Sequence, residues 1–146
     1  MGGNIDFTVG GKELHWPLTT KQALQKALDD GVSIDQITLS SDSNGSMPIF
    51  DEKGKVIKLA VGDIQNLYRE WKELVREGFP LEGMLRLVTS NPAKRIGVYQ
   101  TKGSIEEGKD ADLLILNTDF EIETVMAKGQ RMIHQGEVMV KGTFES

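Results

Sequence analysis

Apolar and polar positions alternate at the start of the chain. Ile5, Phe7 and Val9 stand against polar neighbours, and this period of two predicts a short strand over residues 4–9. A helical period follows. Ala23, Leu24, Ala27 and Leu28 form one apolar face, Thr19 and Gln22 have capping-box spacing, and Gly31 supplies a stop. Residues 37–39, Ile-Thr-Leu, form a second β-prone run. Strand, helix, strand in this order is one βαβ unit, which favours parallel pairing.

The run 37–39 ends abruptly in Ser40-Ser41-Asp42-Ser43-Asn44-Gly45-Ser46. Residues 47–60 then read as a long irregular stretch. Residues 51–55 form a turn, and Val56, Ile57 and Leu59 fit a brief strand of a small hairpin. A loop of that length is more often functional than idle. The strongest helical pattern begins near Asp63. Ile64, Leu67, Tyr68, Trp71, Leu74 and Val75 make one continuous face, with Asp63 to cap it, Gly78 to close it and Pro80 to stop it. The aromatic stripe of Tyr68 and Trp71 reads as core packing. A second helix spans 81–88, with Leu81, Met84, Leu85 and Val88 inward. Ser90 or Asn91 caps a short third helix, Pro92 takes its first position, and Gly97 ends it.

The helical period disappears at about residue 99. Residues 111–116, 122–127, 131–134 and 137–140 read as short strands separated by turn formers, the pattern of an antiparallel meander. The expected division is therefore 1–98 and 99–146.

Composition narrows the function classes. The chain has 146 residues, 38% hydrophobic and 27% charged, which is enough for one real core. Its net charge of -5 and pI of about 5.1 argue against nucleic acid or an anionic membrane as partner. No apolar run approaches a membrane span, and Met1-Gly2-Gly3-Asn4 has no signal pattern. With no cysteine, disulfides and thiolate-bound zinc are excluded, and a cytoplasmic location is expected. His15 and His134 are the only histidines. One reads as a loop residue packed on its neighbours, the other as a half-exposed hairpin residue.

Asp42 is the first residue to question for chemistry. It lies three residues past the last apolar side chain of residues 37–39. In a parallel barrel, catalytic side chains come from the C-terminal ends of strands. The plainer alternative is a turn-forming Asp that bonds its own backbone.

Several spaced runs carry a resemblance. They are Thr89-Ser90-Asn91-Pro92-Ala93-Lys94-Arg95-Ile96-Gly97, Lys102-Gly103-Ser104-Ile105 and Gly108-Lys109-Asp110-Ala111-Asp112-Leu113-Leu114-Ile115-Leu116. In that order they resemble the C-terminal region of the amidohydrolase superfamily. Gly2-Gly3-Asn4-Ile5-Asp6-Phe7-Thr8, residues 40–46 and Val140-Lys141-Gly142-Thr143-Phe144-Glu145 are similar to its isoaspartyl (β-aspartyl) dipeptidase branch. The resemblance covers nearly the whole chain, but only the last part of the family's sequence. It implies an α/β fold: the last two βα units of a (β/α)8 barrel, which takes roughly 250 residues in full, plus the C-terminal strands of the flanking β-sandwich.

The resemblance also implies chemistry. Asp42 matches the family's aspartate at the end of the eighth strand, which touches one metal of a binuclear, usually zinc, centre and carries the proton. Ser46 matches a serine that hydrogen-bonds the aspartyl part of a β-aspartyl dipeptide substrate. The family's His-x-His pair, carboxylated lysine and later histidines have no counterpart here, so the isolated chain is expected to be inactive. Two alternatives stand beside this reading: a non-catalytic, self-associating α/β module, and another amidohydrolase specificity of the hydantoinase or dihydroorotase kind. An open strand edge and uncovered helix faces predict a homo-oligomer, a dimer or larger.

Overall fold

The computed structural model describes residues 3–10 and 16–142. Within these the chain is α/β and divides into two compact units, Met1–Pro92 and Ala93–Ser146.

The first unit is built on a βαβ unit. Strand β1 (Ile5–Thr8) pairs in parallel with β2 (Ile37–Ser40), in the register Ile5↔Ile37 to Thr8↔Ser40. Helix α1 (Thr20–Asp29) connects them. It starts as its sequence requires: Thr19 accepts from the Gln22 amide, and the Gln22 side chain accepts from the Thr19 amide. Gly31, at φ +84°, lets the chain turn off the helix end. A short 3-10 turn (Ile34–Gln36) then leads into β2.

Alternation along β2 decides its two faces. Ile37 and Leu39 are buried, and β2 packs on α3 (Leu81–Val88). Thr38 and Ser40 point the other way. Leu24 of α1, Val9, Leu74, Met84 and Leu87 complete the fully buried apolar set. Each such aliphatic side chain stabilises the fold by about 1.5–3 kcal/mol relative to exposure.

Residues 46–61 are more regular than expected, and the brief hairpin strand read at Val56, Ile57 and Leu59 is part of a longer one. They form a full antiparallel hairpin, β3 (Ser46–Phe50) with β4 (Val56–Val61). Pro48 lies inside β3. A two-stranded hairpin has no central strand, so Pro48 needs no ladder donor on its outer side. Helix α2 (Gln65–Arg76) follows, with Asp63 Oδ1 accepting from the Gln65 amide at 2.9 Å. Trp71 and Leu74 are buried as expected, but Ile64, at the start of the predicted face, is 67% exposed. In α3 the inward positions are Met84 and Leu87; Leu81 and Leu85 are exposed, so the predicted face is rotated.

Helix α4 (Ser90–Arg95) corrects a second expectation. Asn91 lies inside it and does not cap it. Its side chain is 1% exposed, and its amide donates to the carbonyls of Ile34 and Ile37, both at 2.8 Å. It thereby ties the helix to the start of β2.

The second unit contains the expected meander. Strands β5 (Leu113–Leu116), β6 (Ile122–Ala127), β7 (Gln130–His134) and β8 (Glu137–Val138) pair antiparallel in sequence order. His134 is half-buried and meets the buried Thr124 across the strands, Nδ1 to Oγ1 at 3.3 Å. That agrees with a structural hairpin histidine. His15 and the chain end 143–146 lie outside the described residues. Among the described residues, no helix is long and apolar enough to cross a membrane.

Candidate active site

Strand β2 delivers the polar run to the edge of the first unit. The parallel ladder continues one step past the strands, where the Val9 amide donates to the Ser40 carbonyl at 2.8 Å. The chain then turns. Asp42 adopts φ +44° and Asn44 φ +64°, both in the left-handed region. For a residue with a side chain that conformation costs about 1–2 kcal/mol, and Asp and Asn tolerate it best. It persists where the surroundings over-determine it.

Three backbone hydrogen bonds supply that determination. The Gly45 amide donates to the Asp42 carbonyl at 2.8 Å, the Asn44 amide to Gly62 at 3.0 Å, and the Gly62 amide to Gly45 at 2.9 Å. The loop is therefore laced to the base of the β3–β4 hairpin. Both glycines lie against Asp42, Gly45 against its side chain and Gly62 against its main chain. A Cβ on Gly45 would lie 2.5 Å from the Asp42 carboxylate oxygens, and one on Gly62 would overlap the Asp42 carbonyl oxygen.

The Asp42 side chain is exposed. Among the described residues its carboxylate takes no hydrogen bond and forms no ion pair. The turn-former alternative, an Asp side chain bonded to its own backbone, is therefore not what the loop shows. Its loop is closed by main-chain bonds instead. Ser46, also exposed, opens β3 directly opposite Val61. The two residues singled out in the sequence thus stand at the two ends of one five-residue turn.

A third group was not visible from sequence reasoning. Asp6, on β1 opposite Thr38, accepts from Thr38 Oγ1 at 2.6 Å and from Ser40 Oγ at 2.5 Å. These three residues line the face of the β1–β2 pair that points away from the core. The signal was present as the polar phase of the β1 alternation, but the partner hydroxyls follow only from the register.

The second unit handles its acids differently. Lys102 Nζ bonds Asp110 Oδ2 at 2.8 Å and also Asp112. Asp112 accepts from the Lys128 amide at 2.7 Å. The Lys102 bond, and after it the Lys128 amide, hold the Asp112 carboxyl below the usual range. The bond to Asp110, and after it that to Asp112, raise Lys102. Lys109 is nearly buried, bonded to Ser104 at 2.5 Å and lying 3.7 Å over the Tyr99 ring. The hydroxyl of Ser104, and after it Lys109, hold Glu106 low. Lys102, Glu106, Lys109, Asp110 and Asp112 thus all have partners.

A metal centre needs several convergent donors. Among the described residues, no group of three or more His, Cys, Asp or Glu side chains converges, and Asp42 is a single exposed carboxylate. The described residues by themselves do not fit a metal centre.

Comparison with known proteins fixes the class. Residues 19–132 match the amidohydrolase family model, and the chain belongs to this family, whose members are generally metal-dependent hydrolases. Within it, the chain is similar to the β-aspartyl dipeptidase of Fervidobacterium islandicum AW-1, solved in complex with a β-Asp-Leu dipeptide. Identity is 36% and the TM-score 0.79 over 99% of this chain and 37% of that one. Curated relatives are mixed in activity. An L-hydantoinase of Paenarthrobacter aurescens is 40% identical over 55 residues, 38% of this chain and 12% of the relative. An allantoinase of Streptomyces avermitilis is 31% identical over 119 residues, 79% of this chain and 25% of the relative. The chain thus spans about a third of the solved dipeptidase and a quarter or less of these curated relatives.

Proposed function

We propose that residues 1–146 are the part of a β-aspartyl dipeptidase that carries its proton-transferring carboxylate, Asp42. The observation that supports this most directly is the agreement along 99% of the chain with the Fervidobacterium islandicum enzyme, together with an exposed Asp42 held by backbone bonds at the C-terminal end of a parallel strand.

Asp42 has the placement a general base needs. Its carboxylate is unencumbered by hydrogen bonds among the described residues, and its backbone is fixed. In the reaction it takes the proton of the water that attacks the β-linked amide. It then returns that proton to the departing amino group, so one carboxylate serves both halves of the hydrolysis. The Ser46 hydroxyl, at the far end of the same turn, hydrogen-bonds the aspartyl part of the substrate. The metal ligands, zinc in this reading, come from outside the described residues apart from Asp42, and the 146-residue chain alone does not turn over. The outer edges of β1 and β2, unpaired among the described residues, are covered by further barrel strands or by another copy of the chain.

A second reading keeps the amidohydrolase chemistry and changes the substrate to a cyclic amide, which the L-hydantoinase similarity favours. A substrate panel separates the two. The chain is joined to the N-terminal part of the Fervidobacterium islandicum enzyme and assayed on β-Asp-Leu, hydantoin and dihydroorotate. Hydrolysis of β-Asp-Leu alone is expected. Preference for either cyclic amide would replace the dipeptidase reading.

A further inference from the structure

We propose that the β3–β4 hairpin is the positioning device of Asp42, and that Gly62 is the point through which it acts. The inference rests on the reading of Asp42 given above. Gly62 lies one residue beyond β4 and is buried. Its amide and carbonyl bond Gly45 and Asn44, so it grips the Asp42 turn from both sides of the peptide. Its remaining face is pressed on Asp42 itself. A Cβ there would overlap the Asp42 carbonyl oxygen, lie 3.0 Å from the carbonyl carbon and 3.2 Å from the Ser41 carbonyl oxygen.

The demand for glycine at 62 is steric. Gly62 is not among the residues of positive φ, so alanine fits its backbone conformation. What alanine cannot do is leave Asp42 where it is. The atoms it would meet are main chain and cannot swing aside as a side chain would. Something must shift, and a displacement of the Asp42 main chain, Cα included, carries the carboxylate with it. The other end of the hairpin is built differently. Gly54 sits at φ +77° in open space, so a residue there strains the turn and touches nothing near Asp42. Met47, 3% exposed, anchors β3 in the core and fixes the hairpin base against which Asp42 rests.

Gly62→Ala and Gly54→Ala are compared in the barrel completed by the Fervidobacterium islandicum N-terminal part, with β-Asp-Leu as substrate. Gly62→Ala is expected to lower kcat by about 100-fold, the effect of misplacing a reacting group by about an ångström. KM stays within about threefold, because substrate contacts are not removed. Gly54→Ala lowers the melting temperature and leaves kcat unchanged. An unchanged kcat in Gly62→Ala, or an equal loss in both variants, overturns the inference. Should Gly62→Ala fail to fold, Met47→Ala carries the test, since Met47 anchors the hairpin base in the core: a fall in kcat at near-constant KM supports the positioning role, and an unchanged kcat overturns it. Asp42→Asn is run alongside. Full turnover in that variant removes Asp42 from the reaction, whereas loss in Asp42→Asn with wild-type kcat in Gly62→Ala removes the hairpin's role only.

Discussion

Two acidic corners of this molecule look alike in sequence and are opposites in structure. One is the turn Ser41-Asp42-Ser43-Asn44-Gly45, the other the run Gly108-Lys109-Asp110-Ala111-Asp112. In the second, every carboxylate has a cation or an amide: Asp110 and Asp112 share Lys102, and Asp112 also takes the Lys128 amide. In the first, the carboxylate takes no hydrogen bond among the described residues, and the backbone alone is satisfied. A carboxylate satisfied by its own neighbours holds a fold together. One left available on a backbone in the left-handed region is placed to meet something else.

The comparison can be broken first through Asn91. Its buried amide holds the Ile34 and Ile37 carbonyls and so fixes the start of β2, the strand that leads to Asp42. Asn91→Ala deprives both carbonyls of that donor; Ile34 keeps the Ile37 amide, so the loss at Ile37 is the larger, about 1–3 kcal/mol for a buried acceptor left unsatisfied. A urea denaturation midpoint reads this directly. A midpoint equal to that of the parent chain would mean that β2 is anchored by its apolar contacts alone.

A smaller effect sharpens the other corner. Asp112 and Glu106 are held low in the folded chain, Asp112 chiefly by Lys102 and Glu106 chiefly by Ser104. Their contribution to stability is complete above the ordinary carboxylate range and is lost as pH falls through their folded values. Lys102 is raised, chiefly by Asp110, so its contribution is complete below the ordinary lysine value and is lost as pH rises through the folded one. The second unit should therefore show a plateau between about pH 5 and pH 10, with losses on both sides. Because these groups are solvent-exposed, the amplitude is modest and shrinks with salt. Asp112→Asn should flatten the acid limb of stability against pH. An unaltered acid limb would assign that limb to other carboxylates.

Much of this architecture was legible in the sequence. The βαβ order, the capping box at Thr19 and Gln22, and the four-stranded meander all follow from local period and turn chemistry. What was not legible depends on tertiary approach. The hairpin after Asp42 was read only as one brief strand near Val56; its first strand, Ser46–Phe50, follows from pairing with β4 and not from local period. Leu81 and Leu85 were assigned inward by spacing, whereas the body of the unit lies on the Met84–Leu87 side. Asn91 read as a helix cap because its buried carbonyl partners are more than 50 residues away in sequence. At the site, Asp42 was visible as an acid at a strand end. Its left-handed backbone and its contact with Gly62 were not, since nothing local to residue 62 announces a neighbour at residue 42.

The most direct test of the account is the rate of β-Asp-Leu hydrolysis by Asp42→Asn beside the parent sequence, both joined to the Fervidobacterium islandicum N-terminal part and both checked for folding by thermal melting. The account predicts a loss of about 10²–10⁴ in kcat, the range for removing a general acid–base group. The melting temperature should change little, because the exposed carboxylate makes no bond among the described residues. Near-normal turnover in the folded Asp42→Asn variant would contradict the claim that this turn carries the reaction's proton.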